Sequence, residues 1–201
     1  MMENLDKILY DPFSYIHPQR LRLNNDLIST PICRSIVNTL IFDIFQLTDA
    51  DIKINVQDKF WIQNWYNLPQ IAFLIGCHIN REKLMWKGRI LSIPIEARGY
   101  LKIAPSIFHN DLSLTLEYFT HYDILNMGFS VLMKYIDRLP VSLRQRFPLL
   151  FPDCIDKIDT KFTVNPFLLR VISKYVETNK FSMPSERCRW CSCKEKDTRS
   201  E

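Results

Sequence analysis

Cys77 and His78 are adjacent in the segment "LPQIAFLIGCHINREKL" (68–84), and a thiol beside an imidazole is a combination that can do nucleophilic chemistry. Such a pair works only when sulfur and imidazole are within hydrogen-bond reach. In a helix, successive side chains diverge by roughly 100°, so sequence neighbours do not face each other. Ile71 and Leu74 make the surroundings apolar, which disfavours a thiolate. The residues favour a helix interior, and a cysteine-dependent enzyme using Cys77 and His78 stays as an alternative.

The segment "CRWCSCKEK" (188–196) has the spacing of a partial metal site. Two thiolates in a CxxC arrangement can bind one tetrahedral zinc ion, and structural zinc requires four ligands. A second CxxC or HxxxH is missing, so a reduced free tail is favoured over a zinc-dependent interaction module. The candidate ligands of that module are Cys188, Cys191 and Cys193.

Two His-x-Asp units are the other metal candidates: His109 with Asp111, and His121 with Asp123. Residues i and i+2 of a helix point to nearly opposite sides, so each unit would have to be extended to present both side chains to one ion. The alternative is that each aspartate begins a helix by accepting backbone hydrogen bonds. That alternative is favoured, and no cofactor is expected.

The composition of the 201 residues excludes several classes of function. Four glycines cannot assemble a phosphate-binding loop, so nucleotide chemistry is disfavoured. The net charge of +4 is spread over interleaved signs, which argues against nucleic acid. Apolar runs such as "IAFLIGC" are far shorter than the ~20 residues that span a bilayer. The start of the chain has no secretory pattern. We therefore expect a cytoplasmic protein with reduced cysteines and no membrane insertion.

Helical periodicity runs through most of the chain. Thr30 followed by Pro31, and Asn165 followed by Pro166, are typical helix starts, and Asp123 is a third candidate N-cap. After Pro31, apolar residues recur at helical spacing at Ile36, Leu40, Ile44 and Leu47, with Val37 and Ile41 beside them.

The predicted fold is all-α. The segment "LSLTLEYF" (112–119) alternates like a strand and leaves room for one minor β-hairpin. We predict one helical domain over 1–179, followed by a basic, cysteine-containing, flexible tail over 180–201.

The four tryptophans divide into two kinds. Trp61 and Trp65 fit a core-facing stripe at i and i+4, whereas Trp86 and Trp190 lie among charged residues. An exposed tryptophan with arginine and lysine neighbours has the composition of a protein–protein anchor. Scattered surface aromatics remain an equally good interpretation.

Three blocks of the sequence resemble one family: "ILYDPFSYIHPQRLRL" (8–23), "FWIQNWYNLPQIAFLIGCHINREKL" (60–84) and "LPVSLRQRFPLLFP" (139–152). They are similar to the OrgA proteins of Salmonella-type invasion systems, within the SctK/MxiK group of type III secretion accessory proteins. Residues 100–120 match poorly and the cysteine tail matches nothing. The matching motif residues are interpreted as fold determinants: Asp11, Pro12, Tyr15, Pro18, Arg20, Trp65, Pro69, Gly76, Arg146 and Pro148.

The resemblance implies a non-enzymatic adaptor without catalytic residues. It would lie in the cytoplasmic sorting platform of the injectisome, peripheral to the inner membrane. There it would link the cytoplasmic domain of the SctD-type ring protein to the SctQ-type pod protein, and indirectly to the SctL-type stator and the secretion ATPase. Its partner-binding residues are not assigned by the resemblance.

Overall fold

The computed structural model describes residues 2–21, 30–48, 54–56, 58–103, 120–155 and 164–181, with Lys87 described by its backbone alone. Over these residues the chain is helical and forms no strand, which confirms the all-α prediction. The α-helices are α1 (Met2–Tyr10), α2 (Pro31–Phe45), α3 (Asp58–Gln63), α4 (Leu68–Ile79), α5 (Arg81–Met85), α6 (Ile95–Ile103), α7 (His121–Ile136), α8 (Val141–Arg146) and α9 (Pro166–Thr178). Short 3₁₀ turns occupy Pro12–Ser14, Trp65–Asn67, Trp86–Ser92 and Phe147–Leu150. The predicted hairpin at 112–119 lies outside the described residues.

Local signals set the first residues of α2 and α9. The Thr30 hydroxyl accepts a hydrogen bond from the Cys33 amide, and Pro31 is the first helical residue. Asn165 likewise accepts from the Phe167 amide at 2.9 Å. Both predicted helix starts are confirmed. A proline at the first position costs no hydrogen bond, because amides in the first turn have no carbonyl partner within the helix.

The predicted start of α7 is wrong by three residues. The helix begins at His121, and Thr120 is the residue that precedes it. Asp123 lies in the first turn and accepts hydrogen bonds from the Thr120 amide and hydroxyl at 2.8 and 2.7 Å. The Thr120 hydroxyl in turn accepts from the Asp123 amide. This reciprocal pair is a capping box, in which the aspartate serves as the third residue and not as the cap.

The chain divides into two compact units. Unit 1 comprises residues 1–68 and 133–153, and unit 2 comprises residues 69–132 and 154–201. The predicted single domain over 1–179 stays a prediction beside this division. The predicted tail lies outside the described residues except for Lys180 and Phe181. Phe181 is buried, and the centre of its ring lies 6.1 Å from the centre of the Phe73 ring in unit 2.

In unit 1 the core is built around aromatic side chains. Trp65 is fully buried and meets the ring of Tyr15 edge-on at 5.7 Å. Trp61 is buried beside Tyr135. The two tryptophans that the sequence assigns to a core stripe are therefore both inside, although α3 ends at Gln63 and Trp65 lies in the following 3₁₀ turn.

In unit 2 the core depends on a close approach of α4 and α7. A Cβ on Gly76 would lie 1.9 Å from the Ile124 carbonyl oxygen, and a Cβ on Gly128 would lie 1.7 Å from the Ala72 carbonyl oxygen. Only glycine at both positions permits this backbone contact. Gly76 is one of the motif residues shared with the family, whereas nothing in the sequence indicated that Gly128 has the equivalent role.

Candidate interaction site

The candidate site is the outer face of α2 in unit 1. Val37 and Ile41 are buried, whereas Ile32, Ile36, Leu40 and Ile44 are between 49% and 73% exposed. These four side chains recur every fourth residue and therefore follow one side of the helix. A row of large exposed aliphatic side chains on one helix face is typical of a surface that contacts another protein. Sequence periodicity predicted the helix but did not show that this row is exposed.

A cavity of about 500 Å³ lies along the next edge of α2, lined by Tyr10, Asp11, Pro31, Arg34, Ser35, Asn38, Thr39 and Phe42. Arg34 forms a two-pronged ion pair with Asp11 at 2.5 and 3.1 Å, and Asn38 donates to the same carboxylate at 2.9 Å. Burial alone would raise the pKa of Asp11, but the hydrogen bonds from Arg34 and Asn38 hold it below its usual value. The motif residue Asp11 therefore fixes α2 against the segment that follows α1.

Arg146 is a charged residue of unit 1 that is fully buried. Its guanidinium donates to the carbonyl oxygens of Leu9, Thr48 and Ser142, each at 3.0 Å, and lies 5.0 Å from the centre of the Phe42 ring. These groups belong to α1, to the segment after α2 and to α8 itself. One side chain thus joins three segments that are distant in sequence, which a planar five-donor group does well.

Two other motif residues of unit 1, Tyr15 and Arg20, donate hydrogen bonds to backbone carbonyls of the same unit. The Tyr15 hydroxyl donates to the Ile8 carbonyl at 2.8 Å, and burial raises the pKa of Tyr15 above its usual range, against the opposing charge of Arg146. Arg20 donates to the carbonyls of Phe151 and Pro152 at 2.6 and 3.1 Å.

The prolines of the motif occupy turns and a helix start. Pro12 begins the first 3₁₀ turn and is buried, Pro18 is exposed in the following turn, and Pro148 lies in the 3₁₀ turn after α8. Pro69 is the second residue of α4, where a missing amide costs no hydrogen bond. The interpretation of these residues as fold determinants stays a prediction, although the contacts are those that such a role requires.

The Cys77 and His78 side chains are both buried in α4. Burial raises the pKa of the Cys77 thiol far above its usual value, which disfavours the thiolate that a nucleophile needs. The Nδ1 atom of His78 lies 3.2 Å from the Tyr100 hydroxyl. Burial, with a smaller contribution from the charge of Arg81, lowers the pKa of His78 to about 4. The histidine is therefore a neutral core residue at physiological pH.

Of the candidate metal ligands, only His121 and Asp123 lie within the described residues. His121 and Asp123 lie in the first turn of α7, and the Nε2–H of His121 donates to the Ser92 carbonyl at 2.7 Å. No group of three or more histidine, cysteine or acidic side chains could hold a metal ion among the described residues. His109, Asp111 and the tail cysteines Cys188, Cys191 and Cys193 lie outside those residues, as does Trp190.

No helix in the described part of the chain is both long enough and apolar enough to cross a bilayer.

Comparison with known proteins gives a family match over most of the chain. The family model described as "Bacterial type III secretion apparatus protein (OrgA_MxiK)" matches residues 5–166. The chain belongs to the OrgA/MxiK family. Oxygen-regulated invasion protein OrgA of Salmonella typhimurium is 33% identical over 184 residues, covering 90% of this chain and 91% of the relative. The resemblance inferred from the three sequence blocks is thus confirmed.

Two further relatives match shorter parts of the chain. YgeO of Escherichia coli is 34% identical over 130 residues, which is 65% of this chain and 92% of that protein. Protein MxiK of Shigella flexneri is 33% identical over 75 residues, which is 37% of this chain and 42% of MxiK. No solved structure matches the chain. This OrgA/MxiK-family protein is therefore a type III secretion apparatus protein of all-α fold.

Proposed function

We propose that this OrgA/MxiK-family protein is a non-enzymatic adaptor of the type III secretion injectisome. It links the cytoplasmic domain of the SctD-type inner-membrane ring protein to the SctQ-type pod protein of the sorting platform. Through the pod protein it is connected to the SctL-type stator and the secretion ATPase, and so supports effector secretion. Its place is in the cytoplasm, peripheral to the inner membrane.

The exposed aliphatic row of α2 is the observation that carries this proposal. Ile32, Ile36, Leu40 and Ile44 place large apolar side chains in solvent along one helix face. Leaving that area in water is unfavourable by roughly 25 cal/mol per Å², so a partner that covers it gains binding free energy. A helix face of this kind suits insertion into a groove of another protein.

The polar motif residues of unit 1 also support an adaptor. Asp11, Tyr15 and Arg146 form hydrogen bonds with other residues of unit 1. These bonds hold together the part of unit 1 against which α2 packs. The alternative enzyme is poorly supported, because its nucleophile would be the buried, protonated Cys77 thiol.

The test is binding of the purified full chain to the purified pod protein and to the ring protein's cytoplasmic domain, separately and together. We expect binding to each and a ternary complex with both. Ile36→Asp places a charge on the exposed row and should weaken binding to one partner by about tenfold or more, as at an interface hot spot. Val141→Asp is the matched control, because Val141 is a similarly exposed aliphatic residue of unit 1 outside α2.

Two results would oppose the proposal. If the wild-type chain bound neither partner, the adaptor assignment would be lost. If Ile36→Asp bound both partners as tightly as the Val141→Asp control, the exposed row of α2 would not be the binding surface, even though the adaptor function could stand on the wild-type result.

A further inference from the structure

A second exposed surface lies in unit 2, between α5 and α6. The 3₁₀ turn Trp86–Ser92 and its flanking residues expose Met85, Trp86, Leu91 and Ile95, of which the last three are 64%, 69% and 71% exposed. We call these four residues the unit 2 ridge. Gly88 has a φ of 71° within the turn and has open space around it.

Side-chain hydrogen bonds from Arg98 and His121 hold the backbone around the ridge in place. Arg98 donates to the carbonyls of Leu91 and Ile93 at 2.8 and 2.9 Å, and His121 donates to the Ser92 carbonyl at 2.7 Å. Ile93 is buried, at 1% exposure, and anchors the turn in the core of unit 2. The apolar side chains are thus presented by a fixed backbone, so that less conformational entropy is lost when they are covered.

The sequence around the ridge carries an excess of positively charged residues. The segment 81–103 contains six Lys/Arg and two Glu, and the whole chain contains 26 Lys/Arg and 22 Asp/Glu. The segment therefore carries a net charge of +4, the tail over 180–201 carries +2 from six Lys/Arg and four Asp/Glu, and the remaining residues together carry −2. Burial and the nearby charge of Arg89 both lower the pKa of Lys83, as expected where cationic groups lie close together.

We propose that the unit 2 ridge docks onto an acidic surface of a protein partner, with Trp86 inserted into an apolar pocket of that surface. Tryptophan, methionine and arginine are the residue types enriched at protein interfaces, and tryptophan and arginine dominate hot spots. Charge complementarity selects an acidic partner and speeds association. The proposal rests on the proposed adaptor function only for the expectation that the partner is a component of the secretion apparatus.

An anionic membrane is the other surface that basic and apolar groups could meet, and the geometry disfavours it. Interfacial membrane helices present a long apolar face that lies along the bilayer. The four ridge residues instead lie on a seven-residue 3₁₀ turn and on the adjoining ends of the five-residue α5 and of α6. A compact, rigid knob fits a pocket better than it fits a lipid interface.

The experiment begins in cells that carry the secretion system, with a photoreactive amino acid in place of Leu91 in the full chain. The protein that crosslinks is identified, purified and titrated against the wild-type chain, Trp86→Ala, Arg89→Glu and the milder Arg89→Gln. Phe167→Ala and Arg170→Glu are the controls elsewhere in unit 2, since Phe167 is an exposed aromatic residue like Trp86 and Arg170 is an arginine that is more exposed than the half-buried Arg89. The same chains are tested on vesicles with and without phosphatidylglycerol.

We expect Trp86→Ala and Arg89→Glu to weaken binding of the purified partner by about tenfold or more, and both controls to change it by less than about twofold. Arg89→Gln should give an intermediate loss. Wild-type affinity should fall as salt rises, and Arg89→Glu should reduce that dependence.

The inference is overturned if no protein crosslinks at position 91, or if Trp86→Ala and Arg89→Glu bind the crosslinked protein like their controls. It is also overturned if those two variants lose only vesicle binding, which would make the ridge a membrane contact. A crosslinked partner other than the pod or ring protein, bound more weakly by both variants, would support the ridge, and the proposed function would then be decided separately by binding of the wild-type chain to the purified pod and ring proteins. If the wild-type chain bound neither of those two proteins while both variants weakened binding of the crosslinked partner, the proposed function would fail and the ridge would stand.

Discussion

Replacing Gly76 by alanine tests the close contact between α4 and α7. The added Cβ would lie 1.9 Å from the Ile124 carbonyl oxygen, whereas real Cβ atoms essentially never approach another atom closer than 3.0 Å. The two helices would have to separate locally by about 1 Å, and no side-chain rotation can relieve a clash with backbone. Overpacking of this kind costs about 3 kcal/mol, and alanine returns about 1 kcal/mol of helix propensity. We expect a net loss of about 2 kcal/mol in the free energy of unfolding.

Urea unfolding of the purified full chain, followed by circular dichroism, measures this loss. Gly99→Ala in α6 is the matched control, because its Cβ would meet only the Tyr175 hydroxyl at 2.8 Å, at the end of a side chain that can move. Moving that side chain weakens its hydrogen bond to the Glu96 carbonyl, and the helix propensity of alanine offsets this loss, so the control should unfold within about 1 kcal/mol of the wild type. If Gly76→Ala were as stable as Gly99→Ala, the helices would not be in backbone contact and the reasoning would be refuted.

The remaining predictions concern buried polar groups and the cysteines. Arg146→Met removes the donors of three carbonyls and should lower the thermal unfolding midpoint, at a cost of about 3 kcal/mol; an unchanged midpoint would contradict the network. The pKa of His78 is lowered to about 4. Its contribution to stability is therefore complete above pH 6.5 and is lost as pH falls toward 4. His78→Gln should flatten that part of the stability profile, and an unaltered slope would exclude the histidine as its source. Cys77→Ala should retain secretion, whereas loss of secretion by a folded variant would support the alternative of a cysteine-dependent enzyme. Metal analysis of the purified chain should find no stoichiometric zinc, and zinc that disappears when residues 185–201 are removed would establish a tail site.

The sequence was most informative where structure depends on neighbouring residues. The starts of α2 and α9 follow from a capping side chain and a proline next to each other, because both effects act within one turn. The start of α7 was misplaced because Thr120 and Asp123 are both good capping residues. Only the hydrogen bonds between them show which is the cap.

The candidate surfaces were less predictable. In α2 the residues Val37 and Ile41 are as apolar as Ile36 and Leu40, so periodicity indicates a helix with two apolar stripes without showing which one is covered. Trp86 was recognised as a tryptophan among charges. Its exposure is seen only in the folded turn Trp86–Ser92, whose backbone accepts hydrogen bonds from Arg98 and His121, which are distant in sequence from Trp86.

By itself the sequence determined the helical class, the family and the starts of α2 and α9, because these depend on spacing, motif identity and a capping residue beside a proline. The core position of Cys77 and His78, which their apolar neighbours predict, is confirmed by their burial. The tertiary structure decided that Arg146 is a buried hub and that Gly76 and Gly128 form a backbone contact. Each of these depends on segments far apart in the chain. Burial and desolvation are set by what such distant segments bring into contact, and no local pattern of residues specifies that.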